Sequence, residues 1–178
     1  MAIFRLLTEK LHALTALVRP QDRWLIVITA DPDAMGSAMA LRQIIRKRGA
    51  HADIAHTNEV SRPDNLSMIR SLRIPMTRLT PTLPQRYTRF AMVDSQPHHC
   101  TDFPKTRFDI ILDHHPIPAS GPPKAAYVEV RPDYGSCSTL LTEYLYNLRI
   151  RPGKLLATAL LYGIKTDTGS FTRHFCDV

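Results

Sequence analysis

Four short stretches carry carboxylates and imidazoles at spacings that could do chemistry. Asp31 and Asp33 flank a proline in Ala30-Asp-Pro-Asp33, and Asp94 follows Arg89-Phe-Ala-Met-Val93. Asp113, His114 and His115 follow Phe108-Asp-Ile-Ile-Leu112, and Asp167 lies in Gly163-Ile-Lys-Thr-Asp-Thr-Gly169. Carboxylates about 5 Å apart at an effective dielectric near 20 repel by roughly 3 kcal/mol per pair, so a shared site needs cations. Asp31, Asp33, Asp94 and Asp167 bring four negative charges, which two divalent ions would balance. With one or two imidazoles added, such a donor set suits manganese and accommodates magnesium or zinc. Two ions about 3.5–4 Å apart activate a bridging water and stabilise the attacking and leaving oxygens of phosphate hydrolysis. Each motif alone is weak, because Asp-Pro-Asp also reads as a turn with a helix cap and His98-His99 as a surface loop. The joint pattern carries the argument.

The elements that must position these groups alternate. Trp24-Leu-Ile-Val-Ile-Thr29 is continuously apolar and β-branched, the pattern of a strand buried on both faces. Arg89–Val93 and Phe108–Leu112 read the same way, with shorter candidates at Ala52–His56 and Ala125–Val130. Helical spacing marks Ile3–Val18, Gly36–Arg48, Asp64–Leu72, Ser136–Leu148 and Lys154–Lys165. A short polar turn, Ala30–Asp33, separates the first strand from its helix. Prolines 75, 81 and 84 make one stretch irregular, and prolines 116, 118, 122 and 123 mark a loop. Alternation of this kind predicts an α/β fold, a mainly parallel β-sheet flanked by helices. Three strands then deliver acid at their carboxyl ends, where open parallel sheets place their ligand crevice. Asp167 can reach the same crevice from the end of a helix.

Composition bounds the rest. The chain has 178 residues, 44% hydrophobic and 22% charged, which is globular and not disordered. The longest apolar runs are far below the roughly 18 residues that span a bilayer, so no membrane partner is expected. Met1–Val18 carries charges within its apolar pattern and lacks a small-residue cleavage site, so it reads as a helix and not a leader. Three widely spaced cysteines, Cys100, Cys137 and Cys176, suit reduced thiols in the cytoplasm. A net charge of +7 favours phosphate-bearing partners. No GxxxxGK[ST], GxGxxG or nucleophile-elbow serine occurs, which removes P-loop, dinucleotide-binding and serine-hydrolase chemistry.

The ordered set Asp-Pro-Asp-Ala-Met-Gly-Ser (31–37), Val-Asp-Ser (93–95), Asp-His-His (113–115) and Leu-Tyr-Gly-Ile-Lys-Thr-Asp-Thr-Gly-Ser-Phe (161–171) resembles the DHH phosphoesterases. Ala-Met-Gly-Ser is similar to the branch of nanoRNases, phosphoadenosine phosphate phosphatases and cyclic-dinucleotide phosphodiesterases. It is less similar to RecJ-type exonucleases or family II pyrophosphatases. The resemblance implies a two-manganese hydrolase, with magnesium or another divalent ion as the substitute. Asp31 and Asp33 would each favour one ion, Asp94 would bridge both, and His114 and Asp167 would complete the second. Asp113 would orient an imidazole, and His115 would be the general acid. Apart from the resemblance, Arg173 near the fourth motif reads either as a substrate-phosphate contact or as a surface arginine. Short RNA or DNA oligonucleotides, or small nucleotide phosphates, are the expected partners, with a homodimer allowed.

Two departures accompany the resemblance. The family's usual histidine four residues before the first acid is Val27 here, which cannot bind metal; His98 or His99 would be the substitute. The branch also carries a smaller C-terminal substrate-binding lobe. Residues 1–20 are therefore expected as an amphipathic helix and 21–178 as the catalytic lobe, with the second lobe absent. The alternative is a truncated or non-catalytic lobe that binds metal or nucleotide and works through a missing domain or partner.

Overall fold

Trp24 through Ile28 are fully buried, as a strand with apolar side chains on both faces must be. The structure, a computed structural model, describes residues 6–173 and places this strand, β1 (Arg23–Ile28), near the middle of a six-stranded sheet. The others are β2 (His51–His56), β3 (Met76–Arg78), β4 (Arg89–Val93), β5 (Ile110–Asp113) and β6 (Tyr127–Val130). All pairings are parallel, in the order β3-β2-β1-β4-β5-β6. The chain builds outward from β1 to β3, then returns and builds the other way from β4 to β6. The order reverses between β1 and β4, which are in register with Val27 beside Met92, so their carboxyl ends open one crevice.

The helices are α1 (Thr8–Ala16), α2 (Pro32–Lys47), α3 (Pro63–Leu72), α4 (Cys137–Asn147) and α5 (Lys154–Asp167). Apolar residues from all of them join one cluster on the sheet face that carries Trp24, Ile26 and Ile28. The opposite face, with Leu25, Val27, Met92 and Ile111, is closed by Phe103, Phe108 and other loop residues. The connections leaving β4 and β5 are loops, so among the described residues this layer has no α-helix; a 3-10 turn, Leu83–Arg86, adds Leu83 to it. Among the described residues, no helix is long and apolar enough to cross a membrane.

Three readings are adjusted. The helix expected from Gly36 begins at Pro32, so Ala30–Asp33 is not a free turn. Asp31 is its N-cap, accepting from the Ala34 N–H at 2.9 Å, and Pro32 supplies a preset first helical residue. Strand β3 lies in the stretch read as irregular; at an edge and three residues long, it tolerates Pro75 and shows no alternation. The N-terminal helix runs Thr8–Ala16, and residues 1–5 of its expected span lie outside the described ones.

Two contacts fix the helices behind the crevice. A Cβ on Gly36 would stand 2.9 Å from the Ala159 carbonyl oxygen, so α2 and α5 meet backbone to backbone there. Glu129 on β6 accepts from Lys10 of α1 at 2.6 Å and from the Tyr144 hydroxyl of α4 at 2.6 Å.

Candidate metal centre

The crevice collects one imidazole among acids from different elements. His114, just past β5, holds its ring by an Nδ1 contact of 3.1 Å with the Tyr134 carbonyl, to which it donates. That leaves Nε2 facing inward, 3.2 Å from Asp167, 3.3 Å from Asp94 and 3.7 Å from Asp33. Asp94 follows β4 with φ +56°, a left-handed conformation that aspartate tolerates better than most residues.

Asp33 is almost wholly buried and held by the start of α4. The Cys137 N–H donates to one carboxylate oxygen at 2.6 Å and the Ser138 N–H to the other at 2.7 Å. Helix N-termini attract anions for this reason. Asp167, the last residue of α5, is brought in by the close seat of Gly163, whose Cβ would meet Ser138 Oγ and the Asp33 Cα.

The electrostatics are those of acids without enough cations. Burial raises Asp33 above the usual carboxylate range, although the Ser138 bonds and His114 oppose it. Burial, then the charge of Asp33, raises Asp94 much further. Asp31 borders solvent at the rim, yet desolvation, with the charges of Asp33 and Asp167, brings its carboxyl to about 6. For His114, burial alone would favour the neutral ring, but Asp167 and Asp94 outweigh it and raise the imidazole to about 11. Two buried atoms, Asp94 Oδ1 and His114 Nε2, face each other without a hydrogen-bond partner. Oxygen and nitrogen donors converging this way, with their own bonds unmade, fit a divalent cation. His114–Asp33–Asp167 and His114–Asp94–His115 are the two groupings around His114 in which such donors lie within 4.8 Å of one another among the described residues.

A pH dependence follows. Carboxyls raised in the folded state hold protons that the unfolded chain has already lost. Without metal, stability therefore falls as pH rises from the ordinary aspartate range through about 6, the value for Asp31. The His114 contribution has the same sense in a higher window: it is fully present below 6.5 and is lost as pH rises toward about 11. A bound divalent ion needs the ionised acids, so its benefit grows with pH. We expect the melting-temperature gap between manganese and chelator to be wider at pH 8 than at pH 5. An equal or narrower gap at pH 8 would remove this account of the acids.

The remaining expected residues sit nearby. Asp113 is fully buried and accepts from His115 Nδ1 at 2.8 Å and from Gln96 Nε2 at 2.7 Å. Burial would raise Asp113, but those two bonds hold it below the usual range. His115 is half exposed, beside a cavity of about 220 Å³ that Tyr134, Asp167 and Arg173 also line. The structure thus gathers Asp33, Asp94, Asp113, His114, His115 and Asp167, with Arg173 at the edge. Asp31 joins no donor grouping among the described residues and caps α2 instead. Val27 is buried among apolar side chains on the loop-covered face. His99 does not replace it, because that ring sits beside Asp113 and His115; His98 meets His99 edge to face. The sequence reading missed Gln96 and the α4 amides. Ser136 as a cap before an apolar helix was the available sign of the latter.

Comparison with known proteins agrees with this layout. Residues 23–164 match the family model described as DHH family, N-terminal domain. An uncharacterised protein of Methanocaldococcus jannaschii is 36% identical over 147 residues, covering 83% of this chain and 30% of that protein. An exopolyphosphatase-related protein from Bacteroides fragilis superposes over 100% of this chain and 54% of its own, with a TM-score of 0.70 at 17% identity. RecJ from Thermus thermophilus, solved in complex with Mn2+, superposes over 94% of this chain and 25% of its own, with a TM-score of 0.52 at 18% identity. The two structural likenesses show the α/β fold. The chain spans less than a third of the curated relative and about half or less of these two structures.

Proposed function

The chain belongs to the DHH family, and on that premise we propose that residues 21–178 form the catalytic lobe of a manganese-dependent phosphoesterase. Its substrates are short oligonucleotides, small nucleotide phosphates or cyclic dinucleotides, as in the nanoRNase and phosphoadenosine phosphate phosphatase branch. A cytoplasmic setting goes with its unpaired cysteines Cys100 and Cys137. The observation that carries the proposal is the unpartnered pair Asp94 Oδ1 and His114 Nε2, buried between Asp33 and Asp167.

In this reading Asp33, Asp94, His114 and Asp167 would hold one divalent ion, and Asp31 with Asp94 would contribute to holding a second. When bound, such ions supply an activated water and neutralise the phosphoryl oxygens. The chain itself does the rest. The α4 amides favour the ionised form of Asp33 against its burial and aim its carboxylate. The Tyr134 carbonyl fixes the His114 tautomer so that Nε2 presents its lone pair. His115 donates its Nδ1–H to Asp113, which fixes the ring and leaves Nε2 as the nitrogen that can pass a proton to the leaving oxygen. Gln96 holds Asp113 from behind. Arg173 meets the negative charge of the phosphate.

Val27 favours a second reading, a lobe that binds metal without turnover, since no described imidazole stands beside Asp31. Incubation with manganese and a short 5′-phosphorylated oligonucleotide separates the two. Release of mononucleotides that stops in His115→Ala supports the enzyme. Tight manganese binding with no release from any of the three substrate classes leaves the non-catalytic reading.

A further inference from the structure

The segment after Asp94 holds one more imidazole against the Asp113–His115 pair. Gln96-Pro97-His98-His99 closes as a tight turn, with the His99 N–H donating to the Gln96 carbonyl at 2.9 Å and Pro97 preset for the second position. The same turn locks the ring. The Gln96 N–H donates to His99 Nδ1 at 3.1 Å, and Ser95 Oγ lies 3.3 Å from that nitrogen.

A ring nitrogen that accepts from a backbone N–H carries no proton, so neutral His99 bears its proton on Nε2. His115 is the opposite tautomer. Its Nδ1 meets an ionised carboxylate that can only accept, so Nδ1 is protonated there. The two rings stand edge to face, 5.1 Å between centroids. His99, Asp113 and His115 each bring a donor atom within 4.8 Å of the others, a spacing that also suits a cation. The bonds argue against one. His99 Nδ1, His115 Nδ1 and both Asp113 oxygens are already engaged within the protein. What His99 has left is an exposed N–H, and its complement is an anionic oxygen.

We propose that His99 is a substrate-binding residue that donates Nε2–H to a phosphate oxygen beside His115. The proposal rests on the phosphoesterase reading and adds to it a contact outside the four acid-bearing motifs.

The test uses histidine-15N-labelled protein loaded with magnesium and titrated with inorganic phosphate. Long-range 1H–15N spectra should show His99 as the Nε2–H tautomer, and phosphate should shift its ring signals. His99→Ala should weaken phosphate by about tenfold, the loss of one hydrogen bond to a charged group. His99→Gln, which keeps a donor, should recover part of that loss, and His98→Ala should bind as the wild type does. Unchanged affinity in His99→Ala, or an Nδ1–H tautomer, would overturn the proposal alone. Phosphate that fails to bind even the magnesium-loaded wild type would overturn the phosphoesterase reading and this proposal with it.

Discussion

Replacing Asp94 with asparagine should abolish manganese-dependent hydrolysis and, in the same protein, raise the melting temperature without metal. The two effects have one cause. Asp94 is buried, and its raised pKa means that the fold disfavours its charge, chiefly through burial and then through Asp33. Removing that carboxyl relieves the metal-free protein at pH 8, where the unfolded chain has already ionised it and the fold resists its charge. In a protein of this size each kcal/mol so gained raises the melting temperature by about 2–4 °C. Turnover should fall by more than about 100-fold, the cost of losing even an outer partner of a metal ligand. Asparagine is the proper replacement because position 94 has φ +56°, which asparagine also tolerates. Alanine would add about 1–2 kcal/mol of backbone strain and hide the gain. Melting curves in chelator, with activity assays in manganese, check both halves. A lower melting temperature with turnover intact would show that Asp94 serves the fold and not the centre.

The second large effect is expected at a residue that touches no ligand. Gly163→Ala should cost about 1–3 kcal/mol of stability by overpacking and weaken manganese binding beyond what that loss explains. The new methyl group would stand 2.5 Å from Ser138 Oγ, 3.0 Å from the Asp33 Cα and 3.1 Å from the Pro32 carbonyl oxygen. Ser138 Oγ can rotate away. The backbone of Asp33 cannot, because its carboxylate is pinned by two amides of α4. Helix α5 must therefore back off, carrying Asp167 four positions further along. Gly153→Ala is the matched control, since a Cβ there meets nothing within 4 Å. Denaturant midpoints and manganese titrations of both variants decide the matter. Equal metal affinity in Gly163→Ala and wild type would separate the α5 contact from the centre.

The strands that carry the site were legible because burial on both faces demands unbroken apolar runs, as in Trp24–Ile28 and Ile110–Leu112. An acid directly after such a run is a visible break. Parallel pairing then brought these breaks to one end of the sheet. What stayed hidden depends on contacts between distant segments. Nothing near Asp33 in the sequence shows that α4 will supply its amide partners. His98-His99 reads as a surface loop or as a substitute metal ligand and Gln96 carries no signal, and their contacts with Asp113 and His115 appear only when that turn folds. Val27 was visible as a departure, but its burial under Phe103 and Phe108 depends on a loop layer that has no periodic signature.

The bond from Cys137 to Asp33 also bears on the order in which the molecule is made. It joins residues 104 positions apart, so one of the longest loops in the chain closes at the centre itself. Closing long loops in an all-parallel sheet is slow. During synthesis the segment up to Val130 contains all six strands and most of the acids, but neither α4 nor Asp167. The site proposed for metal is therefore a late product of folding. Metal can seal the finished lobe, but it has no assembled site through which to guide the earlier steps.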